Sequence, residues 1–315
     1  MKTSLQFTLL AFFIGPCIAN AELNDTVRVQ ATQTTAEQSK TCTGIGDFYW
    51  EIGDARGVRG NGSIGRRYDA HKMLHIASAS KWIFGSYVAE RIPDKIQPGS
   101  GVLRELEMQF GYTSLKFGSC IFASTVGDCL NKRDNGVKLD SAVGKFWYNG
   151  GHDQKLAVDL GLGNLNRAQF ADELKRVLGS DIELAVGSPQ PAGGFETTPE
   201  SYGRFLRKIL SGALHMHDFL GRYPVCTLPG NCAQAVESPV PVPWHYSLNH
   251  WVEDDQDGDG AYSSPGAFGL YPWISADHQW YGMLARQSAQ QKAYVSSVMC
   301  GQKLRKAWMT GIPQT

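Results

Sequence analysis

Apolar residues recur along this chain with two different periods. A period of three to four runs through its middle, and a period of two appears towards both ends. Between residues 80 and 90, Trp82, Ile83, Phe84, Tyr87, Val88 and Ala89 leave almost no polar side, which predicts a buried helix. Residues 166–179 set Phe170, Leu174, Val177 and Leu178 on one face of an amphipathic helix. The clearest helical signal is 199–211, capped by Thr198, opened by Pro199 and stopped by Gly212. Its Tyr202, Phe205, Leu206, Ile209 and Leu210 fall at helical spacing, so these aromatics read as core.

The period-two segments predict strands. Residues 47–53 and a stretch near 64–68 read as a hairpin with 57–62 as its glycine-rich turn. After the proline-rich run 239–243, segments 245–253, 267–274 and 280–285 read as three neighbouring antiparallel strands. Residues 287–308 then form a closing helix whose Ala293, Val295, Val298, Met299 and Leu304 can cover that sheet. Residues 93–150 mix loops with short helices. Residues 22–40 are polar, carry no apolar period and read as a flexible leader.

The first 21 residues read as a secretory signal. Lys2 gives the positive start, residues 9–14 the apolar core, and Ala19-Asn20-Ala21 the small-residue cleavage site. That apolar stretch is shorter than a bilayer span and no second one follows, so no stable membrane anchor is expected. Pro16 before Cys17 fits a lipid-attachment signal poorly. Cleavage near Ala21 would release a periplasmic or secreted protein. At 315 residues and 42% hydrophobic, the chain can bury one large core without a tandem repeat. Its 30 basic and 30 acidic side chains cancel without forming blocks, which argues against nucleic acid or an anionic membrane and in favour of a small-molecule partner.

Six cysteines lie beyond the signal, and an even number in an exported chain argues for three disulfides, with fifteen possible pairings. Pairing Cys120 with Cys129 and Cys226 with Cys232 would close short loops, leaving Cys42 with Cys300 to tie the two ends together. That last bridge would be worth roughly 5 kcal/mol in the chain-entropy model. The spacings lack the repeated C-x-x-C of a zinc site. The Asp255–Gly260 run copies the start of a calcium loop, but its twelfth position is Gly266 where a glutamate is required, so a solvated hairpin turn is expected. No metal and no cofactor are expected.

Chemistry enters at Ser78-Ala79-Ser80-Lys81, at the mouth of the buried helix. Positions three apart on a helix share a face, so the Lys81 amine can reach the Ser78 hydroxyl and take its proton. Alone the S-x-x-K pattern is weak, because ordinary frequencies yield on the order of one match in a chain of this length. The bland alternative is a helix cap followed by a surface lysine.

Further segments in order make the chain resemble the serine β-lactamase and penicillin-binding superfamily, in particular the group related to class C β-lactamases, DD-peptidases and family VIII esterases. Besides Ile76–Lys81, Phe146-Trp147-Tyr148-Asn149-Gly150-Gly151 falls where the family carries Tyr-x-Asn. The segment 191–198 followed by Tyr202-Gly203-Arg204-Phe205-Leu206 is similar to a conserved stretch of that family. Tyr262-Ser263-Ser264-Pro265-Gly266-Ala267 sits at the third motif, normally Lys or His, then Ser or Thr, then Gly.

The resemblance covers about residues 47–286 and implies an α/β (α+β), two-lobed β-lactamase-like fold in which an antiparallel sheet flanked by terminal helices meets an all-helical lobe. On that reading residues 41–315 form one domain, with a sheet lobe at about 41–77 and 244–315 and a helical lobe at about 78–243. It further implies acyl transfer through Ser78, with Lys81 or Tyr148 as base, and an oxyanion hole from the Ser78 N–H and one N–H around residues 266–268.

Two departures matter. Gly150 replaces the family's asparagine, which bonds a substrate amide and the lysine, and His152 is the nearest polar substitute. No Lys or His precedes Ser263-Ser264, either of which could supply the motif's hydroxyl beside Gly266 and Ala267, so the usual cation for a substrate carboxylate is missing. The expectation is therefore an exported serine hydrolase acting on a small ester or amide. β-Lactamase or DD-peptidase activity, or a non-catalytic penicillin-binding or sensor-type protein on the same fold, are the alternatives.

Overall fold

The structure is a computed structural model that describes residues 23–116 and 118–315. The expected signal, residues 1–21, lies outside the described residues. Its centre is an eight-stranded sheet built from β1 (Phe48–Asp54), β2 (Gly57–Ile64), β3 (Val225–Cys226), β4 (His245–Ser247), β5 (His250–Val252), β6 (Tyr262–Ser263), β7 (Tyr271–Ile274) and β8 (Tyr281–Ala285), in the order β2-β1-β8-β7-β6-β5-β4-β3. Every pairing in it is antiparallel.

Alternation along the strands sorts side chains into two cores. Phe48, Trp50 and Ile52 of β1, with Tyr271 and Trp273 of β7, face the helix α6 (Ala293–Thr310) and its Leu304 and Trp308. Tyr49, Tyr281 and Met283 point the other way, towards α2 (Ser80–Arg91), α4 (Arg167–Leu178) and α5 (Pro199–Leu210). Both faces of β1 are buried, in keeping with Phe48, Tyr49, Trp50 and Ile52 among its first five residues. A capping box between Asn166 and Gln169 opens α4, and Thr198 caps α5.

The polar stretch expected to be a flexible leader is mostly helix, α1 (Asp25–Gln38), capped by the Asn24 side chain. Its buried face is small, consisting of Ala31, Thr32, Thr35 and Ala36, so it leaves no apolar stripe in the sequence. Specific polar contacts dock it. Arg28 lies 5.0 Å over Trp280 and donates to the Trp308 carbonyl (2.7 Å), and Trp50 donates to Gln33 Oε1 (2.9 Å).

This docking also corrects the first hairpin. The glycine-rich run read as a turn is strand β2, because a Cβ at Gly60 would sit 2.5 Å from Val29 and one at Gly62 would sit 2.3 Å from Gln33 Oε1. The real turn is tighter, with Asp54 Oδ1 accepting from the N–H groups of Arg56 and Gly57. Segment 245–253 is likewise two strands, split at Leu248 and Asn249, both of which have positive φ. Segment 267–274 is strand only from Tyr271, because a turn at 266–270 precedes it. Val225–Cys226, expected in the helical region, joins the sheet edge as β3. The closing helix begins at Ala293 rather than 287. The structure joins Cys42 to Cys300, Cys120 to Cys129 and Cys226 to Cys232. No helix among the described residues is long and apolar enough to cross a membrane.

Candidate active site

Ser78 sits in a single 3₁₀ turn, Ala77–Ala79, that runs into α2. The turn requires Ala77 to adopt φ 46°, a conformation costly for a residue with a Cβ. Neighbouring segments of the chain clamp it in place. Ile76 N–H donates to the Phe195 carbonyl (3.1 Å), Phe195 N–H donates to Ser80 Oγ (3.2 Å), and Tyr202 Oη donates to the Ala79 carbonyl (2.9 Å). A Cβ at Gly266 would lie 2.1 Å from the Ile76 carbonyl oxygen, so only glycine allows that segment to pass.

One turn into α2, Lys81 is buried, and its Nζ donates to the Ala192 carbonyl (2.7 Å) and to Ser78 Oγ (3.3 Å). The same nitrogen lies 4.7 Å from the centre of the Tyr148 ring. Tyr148 is fixed by stacking on Trp251 and by an edge contact with Tyr246, and its N–H donates to the Glu237 carbonyl (3.1 Å). Asn149 turns away from the site to brace the loop. Its Oδ1 accepts from Gly151 and Leu115 N–H, and its Nδ2 donates to the Leu115 carbonyl. The structure therefore brings Ser78, Lys81 and Tyr148 together.

At Gly150 a Cβ would lie 2.7 Å from Ala192 Cβ, so no side chain fits. The Ala192 carbonyl, on the segment that fills this space, takes the lysine hydrogen bond that the resemblance assigns to an asparagine at position 150. His152 does not replace that contact. It is fully buried, its Nδ1 accepts from Phe110 N–H (3.3 Å), and burial lowers its pKa to about 3, which holds it neutral.

The next residue is the one the sequence reading missed. Asp153 is fully buried on the helix α3 (Gly151–Ala157) and accepts a 2.7 Å hydrogen bond from Asn249 Nδ2. Burial raises its pKa to about 6, against the opposing pull of the Lys81 charge and the Asn249 hydrogen bond.

Strand alternation separates the two third-motif serines. Ser264 Oγ donates to the Ser78 carbonyl (3.3 Å), whereas Ser263 is buried within the sheet and its Oγ has no partner among the described residues. The Gly266 N–H donates to the Leu270 carbonyl (2.8 Å), so it is already committed and is not an oxyanion donor in this arrangement. Ala267 is exposed on the turn that follows.

No protein-family model matches the sequence, and no curated protein does. Solved structures do match. The D-amino acid amidase from Ochrobactrum anthropi aligns with a TM-score of 0.61 at 10% identity, over 91% of this chain and 99% of that one. FmtA from Staphylococcus aureus aligns with a TM-score of 0.63 at 12% identity, over 90% and 87%. A β-lactamase from Mycobacterium bovis aligns with a TM-score of 0.51 at 14% identity, over 82% and 94%. The likenesses cover most of the chain, and the protein has a β-lactamase-like fold.

Proposed function

We propose that the protein is an exported serine hydrolase that cleaves a small ester or amide through an acyl-enzyme on Ser78. The observation that carries this reading is the buried Lys81 amine 3.3 Å from a helix-mouth serine hydroxyl and stacked against Tyr148. Three disulfides among the described residues suit an oxidising compartment.

Ser78 Oγ adds to the substrate carbonyl carbon while Lys81 Nζ accepts the hydroxyl proton, with Tyr148 as the alternative acceptor. The carbonyl π bond becomes an oxyanion held at the N-terminus of α2, where the Ser78 N–H is one donor. Collapse of this intermediate breaks the bond to the alcohol or amine, which leaves with the proton. Water then adds to the acyl carbon, gives a proton to the same base, and releases the acid while Ser78 Oγ recovers its hydrogen. Ser264 holds the backbone carbonyl of Ser78 and so positions the nucleophile.

Esters and simple amides rank ahead of β-lactams and D-alanine peptides, because Gly150 brings no amide side chain and no Lys or His precedes Ser263. A second reading draws on the same Gly150: a protein that acylates but does not turn over. The test is turnover of 4-nitrophenyl acetate and of a chromogenic cephalosporin beside Ser78→Ala, with the intact mass followed over time. Steady ester turnover lost in Ser78→Ala supports the hydrolase. A single stoichiometric burst with a persistent acyl adduct supports the binding protein. No reaction and no adduct with either compound would sink both.

A further inference from the structure

Arg286 directly follows β8 and is 3% exposed, nearly as buried as Arg305 in the same molecule. The two have different company. Arg305 pairs with Glu253 and Asp259, whereas every partner of Arg286 among the described residues is neutral. Its Nε donates to Ser297 Oγ (2.8 Å), its Nη2 to the Ala293 carbonyl (3.0 Å) and Ser296 Oγ (2.8 Å), and its Nη1 to the Ile45 carbonyl (2.9 Å). The second Nη1 hydrogen has no acceptor among the described residues.

The surroundings add positive potential instead of cancelling it. Ala293, Ser296 and Ser297 belong to the start of α6, the end at which a helix carries its partial positive charge. Lys292 precedes that turn and no acid lies in it. A guanidinium keeps its charge at neutral pH, so its burial without a counterion is costly, and loss of hydration lowers its pKa.

A cavity of about 350 Å³ opens on this group, between residues 45–47, 67–68 and 287–290. Asp47 is the one acid among its described lining residues, and it is already engaged. Its Oδ2 accepts from the N–H groups of Arg66 (3.0 Å) and Arg67 (3.2 Å), and a Cβ at Gly65 would lie 2.1 Å from its carboxyl carbon. The other polar walls have donors to spare. Gln287 Oε1 accepts from His75 N–H (3.0 Å), which leaves its Nε2 hydrogens unused. The Arg67 guanidinium and the Gln290 side-chain amide have no hydrogen-bond partner among the described residues.

We infer that this cavity binds a tetrahedral oxyanion, a phosphate group, held by Arg286 and Arg67 with the Gln287 and Gln290 amides. Arg286 has one N–H left, so it cannot grip a planar carboxylate through two parallel bonds. An anion that spreads several oxygens over separate donors suits these walls better. Free phosphate and a phosphate monoester share that chemistry. The inference stands apart from the hydrolase reading, since Ser78, Lys81 and Tyr148 do not line this cavity.

Calorimetric titration of the purified protein tests it, at an ionic strength held constant with chloride so that general screening is matched. Inorganic phosphate should bind saturably with a Kd of about 1 mM or tighter, and should raise Tm above the chloride control. Arg286→Gln removes the cation and should weaken phosphate binding at least about fivefold. If that variant does not fold, Ala289→Glu, at an exposed position on the same wall, sets a competing carboxylate before Arg286 and should give the same loss. Glycerol 1-phosphate, titrated beside inorganic phosphate, separates the two sources. An ester that binds as tightly or more tightly makes a phosphate monoester the ligand class, and an ester that binds more weakly assigns the site to the free ion. Absence of saturable binding of either anion up to about 20 mM, or a smaller loss in the variant, overturns the inference.

Discussion

Two buried basic side chains in this molecule are treated in opposite ways. Behind the sheet, Arg305 is held on every side. Its Nε and one terminal nitrogen donate to Asp259, that nitrogen also donates to Glu253, and the other donates to the Tyr271 hydroxyl, all within 2.6–2.8 Å. Glu253 also accepts from Tyr271 (2.7 Å) and Gln302 (3.0 Å). In front, Lys81 has two hydrogen bonds, one of them long, and the carboxylate that feels its charge is incompletely satisfied. Asp153 Oδ2 and Asn249 Oδ1 have no hydrogen-bond partner among the described residues. Leaving a bond open in a buried network costs stability. Spare capacity beside a nucleophile is what proton transfer needs.

The sharpest way to break this comparison is to remove each basic side chain. Lys81→Met should lower ester turnover by about 10³-fold or more, on the scale of losing an activated nucleophile's base, while destabilising by only about 1–2 kcal/mol through the freed Ala192 carbonyl. Arg305→Met should do the reverse, destabilising by about 3–5 kcal/mol in chemical denaturation because Glu253 and Asp259 are left uncompensated. Equal loss of stability in both variants would erase the distinction.

Asp153 gives the next largest effect. Its carboxyl protonates as pH falls through about 6, so wild-type kcat/KM should show an acid limb there. Asp153→Asn should reduce activity roughly 10- to 100-fold, in the range of a positioning contact, and remove that limb. A limb that survives the substitution would assign it to another group.

The smallest effect concerns Glu105 and Glu107, both buried, with pKa values raised to about 8 by loss of hydration. A carboxyl whose folded pKa is raised takes up protons on folding, so its contribution is complete below the unfolded value near pH 4.5 and disappears as pH rises to about 8. The buried neutral His152 and His250 oppose this trend below about pH 6.5, so Tm should fall between about pH 6.5 and pH 8. Glu107→Gln should flatten that fall and stabilise the protein at pH 8 by about 1–3 kcal/mol, with little change at pH 5. A Tm profile that Glu107→Gln leaves unchanged would show that this carboxyl does not titrate in this range.

Sequence made the helices legible wherever one strong face was buried, as in α4 and α5, and placed Ser78 at a helix mouth within reach of Lys81. It failed where packing uses small or polar groups. The helix α1 buries alanine and threonine, and β2 contributes glycines because that helix lies so close. It failed also on phase. His152 and Asp153 are adjacent on α3, a rotation of about 100° apart, so one faces Phe110 and the other the Lys81 side. No pattern fixes that phase until the start of the helix at Gly151 is known. The hairpin turn at Leu248 and Asn249 was hidden for a related reason, since a two-residue turn leaves the alternation on either side intact.

The bridge between Cys42 and Cys300 spans 258 positions of sequence and joins the short helix Lys40–Thr43, just before β1, to the helix α6. Topologically, most of the chain is a closed ring with two short tails. A protease that cuts any exposed loop inside the ring opens it without freeing a fragment, and the pieces separate only when the bridge is reduced. The chain just before β1 and the helix α6 therefore cannot drift apart, whatever happens to the loops around the nucleophile. Wear and variation can fall on those loops while β1 and the helix that covers it stay together.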